Sequence, residues 1–415
     1  MLIRDNHYAH KIFSRCEYHR DNYYLGDMKT ASYQLMDRHA HPAMAKDSLN
    51  IEAFESLEEI KTLEREWRDF EKRAISSPYQ SFDWVTAWYT HVSPHIGETP
   101  CAVVIKDAAG NLVALFPLAI VARTGLRIAR FPGLSHSNFN MPLAFSSNCC
   151  EPAEGLRTIG SALRLDAFWL HNQPFIWQEA KNPLARLPHI PSPSVAYCAC
   201  LPPSGSDFFD QHYATSTQRK RLRNKKNGLA KHGNFIFAPA HSSAERHEIL
   251  AAFLNHKTNW FRVRGLRNPF APAYINRFFE AVAQTCLEFY ALRDGERIAA
   301  TFATMVKDRH MSALFTSITN DKQISRGSPG EILLLNLMMN CADRGLQSFD
   351  LGVGEAAYKH SICPVEIPLF HAALPITLKG RIASALWLKL HRLKRIAKKS
   401  PRLFPILQRI RSLFP

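Results

Sequence analysis

A glycine-containing turn that opens a helix carries the clearest sign of chemistry in this sequence. The turn is Arg326-Gly327-Ser328-Pro329-Gly330, and leucines at helical spacing predict a helix over Glu331–Arg344. The first turn of a helix has unpaired N–H groups and the positive end of the helix dipole. Gly327 and Gly330 permit close approach of a ligand, and Arg326 adds positive charge. We therefore expect a phosphate or pyrophosphate site, although an ordinary helix start with an early proline explains the same residues.

The elements that must position this turn are strands and helices in mixed order. Strand His310–Ile318 is predicted to lead into the turn, and strand Ser348–Leu351 to follow the helix. Two more strands, Glu288–Arg293 and Arg297–Lys307, precede them in an antiparallel meander. The first half of the chain shows a looser version of this order. We predict an α/β fold (α+β, mixed sheet) of two related units in tandem.

Composition changes suggest four segments along the 415 residues. They are a weakly ordered extension over 1–48, a first unit over 49–200, a second unit over 201–377 with the phosphate site, and a basic tail over 378–415.

Several stretches occur together as they do in one enzyme family. They are Trp67 with Ser81-Phe82-Asp83-Trp84; Asp107–Pro117 with Pro132-Gly133 and Ser135–Pro142; Arg219–Gly233; and Ser328-Pro329-Gly330, Gly345-Leu346, Phe349-Asp350-Leu351-Gly352 and Gly354-x-x-x-Tyr358-Lys359. The pattern resembles the acetyltransferases typified by the CelD proteins of bacterial cellulose-synthesis loci, within the GNAT superfamily. The resemblance spans roughly residues 50–375, and its last stretch is the most specific. The sequence departs from the family at His360-Ser361-Ile362, where an aromatic residue is usual.

The resemblance implies tandem GNAT-like acyl-CoA N-acyltransferase units. The donor, acetyl-CoA or another acyl-CoA, would lie in a gap between two splayed parallel strands, His310–Ile318 and Ser348–Leu351. Its pyrophosphate would rest at Gly327–Glu331. An amine or hydroxyl acceptor would attack the thioester, and backbone N–H groups would stabilise the oxyanion. No metal ion is implied.

The resemblance also suggests roles for individual residues. Asp350 would orient or deprotonate the acceptor, and Tyr358 would protonate the departing thiolate. A turn carboxylate and a packed tyrosine are the plain alternatives. The residues expected at the donor are Arg326, Gly327, Ser328, Gly330, Glu331 and Lys359, and those expected at the acceptor are Ser135 and Asn138. A dipole-stabilising glutamate, a surface lysine and ordinary loop residues explain several of these equally well.

The formal charge of +16 is concentrated in two basic segments rather than spread along the chain. Eleven Lys or Arg and no Asp or Glu lie between Lys379 and Arg411. Residues Ile382, Leu386, Leu390 and Leu393 in this tail have helical spacing, so 380–411 can lie on an anionic membrane or dock on the core with a basic outer face. A second basic run, Arg219–Lys231, has no interleaved aromatic residue, which makes a nucleic-acid partner unlikely.

Cysteine and histidine usage favours a reducing compartment without a metal site. The nine cysteines show no CxxC pair, and the nineteen histidines show no ligand spacing. The amino terminus lacks the apolar region of a signal peptide, and no apolar run reaches transmembrane length. We expect a cytoplasmic protein with a possible contact to the inner membrane.

Three functions remain open from sequence. The first is acyl-CoA-dependent transfer to an amine or hydroxyl, by resemblance in exopolysaccharide or cell-envelope metabolism. The second is Fem-type transfer of aminoacyl groups from tRNA, which would use the basic helix. The third is a non-catalytic, membrane-associated scaffold.

Overall fold

The computed structural model describes residues 49–144 and 152–400. The predicted extension over 1–48, the cysteine pair Cys149–Cys150 and the end of the basic tail lie outside these residues.

Within the described residues, the strands form an eight-stranded sheet, a seven-stranded sheet and a short two-stranded ribbon. The strands are β1 (Asn50–Phe54), β2 (Glu98–Lys106), β3 (Leu112–Arg123), β4 (Leu126–Arg130), β5 (Leu143–Ala144), β6 (Ala167–Pro174), β7 (Ile176–Trp177), β8 (Ala180–Lys181), β9 (His189–Pro191), β10 (Ala196–Cys200), β11 (Ile236–Pro239), β12 (Glu288–Asp294), β13 (Arg297–Lys307), β14 (His310–Ile318), β15 (Ser348–Val353), β16 (Val365–Ile367) and β17 (Leu369–Pro375).

Helices cover the faces of both large sheets. They are α1 (Leu57–Thr62), α2 (Glu64–Glu71), α3 (Phe82–His91), α4 (Ser93–Ile96), α5 (Pro152–Ala162), α6 (Gly205–His212), α7 (Ser216–Ala230), α8 (Ser243–Val263), α9 (Ala273–Thr285), α10 (Lys322–Arg326), α11 (Pro329–Asp343), α12 (Ala357–Ile362) and α13 (Leu378–Lys399). The mixed α/β prediction is confirmed.

The two sheets exchange strands. The first has the order β1-β2-β3-β4-β6-β17-β9, with β5 beside β3, and the second has the order β11-β12-β13-β14-β15-β10-β16. Strand β17 therefore comes from the second half of the chain but lies in the first sheet. Strand β10 comes from the first half but pairs with β15. The expected division at 49–200 and 201–377 remains a prediction. The ladders of β10 with β15 and of β17 with β6 both cross it.

Each large sheet contains one parallel pair that separates after a few residues. Strands β14 and β15 pair from His310 and Ser348 to Ser312 and Asp350, and β14 then continues to Ile318 without β15. Strands β4 and β6 pair in parallel at Ile128–Ala129 and Ala167–Phe168. The splayed pair is thus present where the sequence predicted it, and its repetition agrees with two related units.

Strand β3 carries a proline, Pro117, at an interior position. It pairs with β2 on one side and with both β5 and β4 on the other. Pro117 lies between the segments that pair with β5 (114–115) and with β4 (119–123). A residue without an N–H group is tolerated there because no second strand requires its donor.

Side chains that cap helices set the start of the basic helix and of its neighbour. Thr215 and Gln218 form a capping box at the start of α7, and Ser242 and Glu245 form another at the start of α8. Ser56 caps the start of α1, since its Oγ accepts from the Glu59 N–H at 3.2 Å. The segment 183–194 contains β9, which extends the first sheet beside β17.

Helix α13 docks on the first sheet through one face. Trp387 stacks on Trp169 with ring centroids 5.3 Å apart, and Trp169 Nε1 donates to Ser384 Oγ at 3.0 Å. The opposite face carries the leucine and isoleucine stripe, whose side chains are 53–73% exposed: Leu378, Ile382, Leu386, Leu390, Leu393 and Ile396. The helix is therefore docked, but its outer face is apolar as well as basic. None of the described helices combines the length and the apolar character needed to cross a membrane.

Candidate functional site

A cavity of about 720 Å³ surrounds the free end of β14. It lies between α7, α8, the start of α11 and α12, and so it reaches both faces of the sheet where β15 has diverged. Its lining includes Tyr213, Arg221, Lys225, His256, Lys257, Trp260, Ser317, Ser328, Gly330, Glu331 and Tyr358. Such a volume suits a ligand the size of a cofactor or drug.

The start of α11 is open toward this cavity. Ser328 is the N-cap residue in the left-handed region, with φ of 53°, and among the described residues its side chain makes no capping bond. Pro329 follows at N1, where a missing N–H group is harmless. Ser328, Gly330 and Glu331, three of the residues expected at the donor, line the cavity. The helix start therefore presents its positive end to the cavity.

The two glycines of the turn are required by packing. A Cβ at Gly327 would lie 3.0 Å from the Cβ of Leu229 on α7, and one at Gly330 would lie 2.8 Å from Ile318 Cδ1. Gly327 thus lets α7 approach the turn rather than a ligand. Arg326 is exposed, and neither it nor Gly327 is among the residues that line the cavity.

Helix α7 supplies positive charge to the opposite wall. Arg221 and Lys225 line the cavity, and the Lys225 ammonium pairs with the Glu331 carboxylate. Tyr213 Oη also donates to Glu331, at 3.4 Å. Glu331 is therefore neutralised, so Arg221 contributes a positive charge to the wall. Burial lowers the pKa of Lys257, a further amine in the lining.

A buried histidine in the lining was missed by the sequence analysis. His256 Nδ1 lies 2.9 Å from Ser317 Oγ, which lies 2.7 Å from Thr301 Oγ1. Burial, with a smaller contribution from Lys257, lowers the pKa of His256 to about 4. The imidazole is therefore neutral at pH 7 and able to accept a proton. Its spacing from the buried Ile249 and Phe253 of α8 marks a polar residue on an apolar face, which is a signal the sequence contained.

Asp350 lies outside this cavity, in a buried cluster between the two units. Its Oδ2 is 2.8 Å from His310 Nε2, and its Oδ1 accepts from the Gly352 N–H at 2.7 Å. The other ring nitrogen of His310 is 2.7 Å from Ser348 Oγ. The Asp350 side chain is 0% exposed, so its geometry fits a residue that positions the strand end.

Lys359 and Tyr358 are adjacent in sequence but face different surroundings. Lys359 Nζ donates to the carbonyl oxygens of Leu351, Gly352 and Val353 at 2.7, 3.2 and 3.3 Å. Burial lowers the pKa of this ammonium. Lys359 therefore secures the end of β15, and this geometry does not favour the expected phosphate contact. Tyr358 lines the cavity and is 45% exposed, and desolvation raises its pKa.

Asn138 of the first unit bridges the two splayed strands of the second. Its Nδ2 donates to the Ala313 carbonyl of β14 at 3.2 Å, and its Oδ1 accepts from the Val353 N–H of β15 at 3.2 Å. The same Nδ2 is 2.7 Å from Tyr79 Oη. A Cβ at Gly352 would come within 2.5 Å of Asn138, so glycine is required for this approach. Ser135 instead lines a second cavity.

The described residues contain no group of three or more His, Cys, Asp or Glu side chains arranged to hold a metal ion. Among the described residues, Cys101, Cys286, Cys341 and Cys363 are free thiols.

Comparisons with known proteins agree with this architecture. Residues 216–360 match the family model described as "Acetyltransferase (GNAT) domain". No curated protein matches the chain. The solved structure of FemX superposes with a TM-score of 0.53 at 10% identity, covering 78% of this chain and 98% of FemX. The carboxy-terminal domain of a protein assigned as a lysylphosphatidylglycerol synthetase from Agrobacterium fabrum gives 0.50 at 14% identity, with 79% and 95% covered.

These two structures show a shared fold at low sequence identity. The family match covers α7 to α12, which are the elements that surround the cavity. Residues 216–360, less than half of the chain, therefore match a GNAT domain, and this match supports acyl transfer.

Proposed function

We propose that the protein transfers an acyl group from an acyl-CoA thioester to an amine or hydroxyl acceptor. The observation that carries this proposal is the cavity around the free end of β14, with an uncapped helix start on one side and the cations of α7 on the other. Phosphate groups favour such a combination of N–H groups and guanidinium or ammonium groups. The pantetheine arm would follow the gap that opens beyond Ser312 and Asp350.

Backbone N–H groups at the gap are available for the oxyanion. Successive N–H groups of a strand point to opposite sides, and β13 pairs with only one side of β14. Beyond Ser312 the other side has lost its pairing with β15. Donors aimed at developing charge in a water-poor site contribute strongly to catalysis.

His256 is assigned as the proton acceptor and Tyr358 as the proton donor to the leaving thiolate. Both line the cavity, and His256 is neutral at pH 7. The acceptor nitrogen or oxygen bonds to the thioester carbon, its proton passes to His256, and the C–S bond breaks. Asp350, expected from sequence as the base, is assigned to positioning because it is buried against His310 and Gly352.

The setting proposed for this reaction is exopolysaccharide or cell-envelope metabolism at the cytoplasmic face of a membrane. The CelD-like motifs support the setting. The exposed apolar stripe of α13 supports the membrane contact, because Lys389 and Arg392 accompany it and match an anionic bilayer in charge.

Calorimetric titration with acetyl-CoA and with a longer acyl-CoA tests the donor site. We expect binding by the native protein and its loss in Gly330→Trp, whose indole would occupy the cavity. Thermal unfolding of the variant distinguishes lost binding from lost folding. Failure of a folded native protein to bind either donor would refute the proposal.

A second candidate donor is aminoacyl-tRNA. The fold shared with FemX and the exposed cations of α7 favour it. Steeply salt-dependent binding of tRNA, together with no binding of acyl-CoA, would favour this reaction over the first.

A further inference from the structure

A second cavity, of about 390 Å³, lies between the first sheet, α13 and the end of β15. Its walls come from β4, β6 and β17, which are strands of the unit without the family match. Val353 closes it on the side of the GNAT domain. Ser135, which the sequence associated with the acceptor, also lines it.

The charged side chains in the lining of this cavity are basic. The described residues that line it include Arg130, Lys394 and Lys398 but no aspartate or glutamate. Arg130 is neutralised by Glu98, whose Oε1 accepts from Nε and Nη2 at 3.0 and 2.8 Å. Lys398 donates to Ser194 Oγ, another residue of the wall. Lys394 therefore contributes a positive charge to a wall that, among the described residues, has no carboxylate of its own.

Histidines add directional hydrogen bonding. His371 Nδ1 accepts from the Asn172 N–H at 3.0 Å, which fixes the ring proton of a neutral imidazole on Nε2. Burial lowers the pKa of His371 to about 3 and that of His171 to about 4, so both rings are neutral at pH 7. His391 donates from Nδ1 to the Trp387 carbonyl at 2.9 Å. The wall thus offers an imidazole N–H beside two ammonium groups.

The cavity is connected to the splayed strands through one hydrogen bond. Val353 lines it, and the Val353 N–H donates to Asn138, which spans β14 and β15. Val353 is therefore shared by the wall of this cavity and by the hydrogen bonds that border the gap in which the thioester is proposed to lie.

We propose that this cavity is the acceptor site and that it binds the phosphate group of a phosphate ester bearing the reacting amine or hydroxyl. The role of this cavity as the acceptor site rests on the proposed acyl transfer. The binding of phosphate in the cavity does not. A phosphate anion matches the charge of Lys394 and accepts from the His371 N–H. The ester is either a soluble sugar or glycerol phosphate, or the headgroup of a phospholipid delivered beside α13.

The test is titration with glycerol 3-phosphate after the donor cavity has been saturated with coenzyme A. Binding should weaken at least tenfold in Lys394→Ala. It should change less than twofold in Lys389→Ala, which removes the same charge from α13 outside the cavity lining. Equal affinity in the native protein and both variants, or no binding at all, would overturn the assignment. Thermal unfolding confirms that each variant is folded.

Two further experiments distinguish the lipid headgroup from the soluble ester, and phosphate binding in this cavity from phosphate binding in the donor cavity. Vesicles of phosphatidylglycerol that displace glycerol 3-phosphate in a Lys394-dependent manner identify the lipid headgroup; binding without displacement identifies the soluble ester. The titration is repeated on Arg221→Ala protein without coenzyme A. Retained phosphate binding there supports the acceptor site even if acyl-CoA fails to bind, whereas lost binding shows that the phosphate occupies the donor cavity and refutes the assignment.

Discussion

The side-chain amide of Asn138 accepts a hydrogen bond from the Val353 N–H at 3.2 Å and donates one to the Ala313 carbonyl at 3.2 Å. A residue of the first unit thereby holds β14 and β15 of the second unit at a fixed separation. Asn138→Asp keeps the shape and the acceptor but loses the donor to Ala313. We expect acyl transfer to fall at least about tenfold, since misplacement of reacting groups is costly, with stability lowered by about 1–3 kcal/mol.

Release of coenzyme A thiol from acetyl-CoA and chemical unfolding measure these two effects. Asn111→Ala, in an exposed turn of the first unit, is the control and should change neither. Native turnover in a fully folded Asn138→Asp protein would contradict the spacing role.

Arg221→Ala should weaken acetyl-CoA binding about tenfold, since a hydrogen bond to a charged group contributes about 1.5–3 kcal/mol. Arg223→Ala removes the same charge from α7 at an exposed position outside the cavity lining, and binding should stay within twofold. Calorimetry at low and moderate salt measures both. Equal losses in the two variants would indicate general electrostatic attraction instead of a defined phosphate contact.

His256→Gln should lower turnover at least about a hundredfold, which is typical of a lost general base, while acetyl-CoA affinity stays within twofold. Because the His256 pKa is about 4, the native rate attributable to this base should be constant above pH 5 and fall only below it. His247→Gln, at an exposed position of the same helix, is the matched control. Unchanged turnover in His256→Gln would remove this residue from the catalytic assignment.

The double variant Leu386→Gln with Leu390→Gln should sediment poorly with vesicles of phosphatidylglycerol. Each leucine transferred into a bilayer contributes about 1.5–3 kcal/mol, so partitioning should fall well over tenfold. Val263→Gln, at another exposed aliphatic residue, should leave sedimentation unchanged. If the double variant sediments like the native protein, α13 is not the membrane contact.

Buried neutral histidines should make the protein acid-sensitive. The pKa values of His256 and His371 are about 4 and about 3, below the ordinary value of 6.5. As pH falls below 6.5 the unfolded chain binds protons that the folded chain excludes. As pH falls below 6.5, the free energy of unfolding should therefore decrease by up to about 1.4 kcal/mol per pH unit for each histidine. Above pH 7, these histidines should contribute no pH dependence to the free energy of unfolding. Urea unfolding at pH 7.5, 6 and 5 measures the slope, which should be shallower in His371→Gln and unchanged in His247→Gln.

Local sequence patterns predicted the secondary structure of residues 216–360 closely, because the spacing of apolar residues and the turn residues mark each helix and strand. Strands Arg297–Lys307 and His310–Ile318 have the predicted bounds. The splay of β14 and β15 also agreed with the resemblance. The strand exchange could not be predicted, since nothing in the sequence of β10 or β17 encodes which sheet they enter.

The candidate site was predicted only in part, for the same physical reason. Ser328, Gly330, Glu331 and Tyr358 line the cavity, but Lys359 is directed to backbone carbonyls. Which carbonyls a lysine reaches depends on how the chain after β15 turns back, and this is a tertiary property. The contact of Asn138 with residues more than 170 positions away is likewise invisible to local spacing.

The position of β17 has a consequence for biosynthesis. The interior of the first sheet stays incomplete until residues 369–375 have left the ribosome, because β6 and β9 can meet only through that strand. The first unit therefore cannot finish folding before β17 has been synthesised, and a chain truncated before β17 would expose an unpaired edge of β6. Completion of both units should be a single late event, with slow, non-local closure as its rate-limiting step.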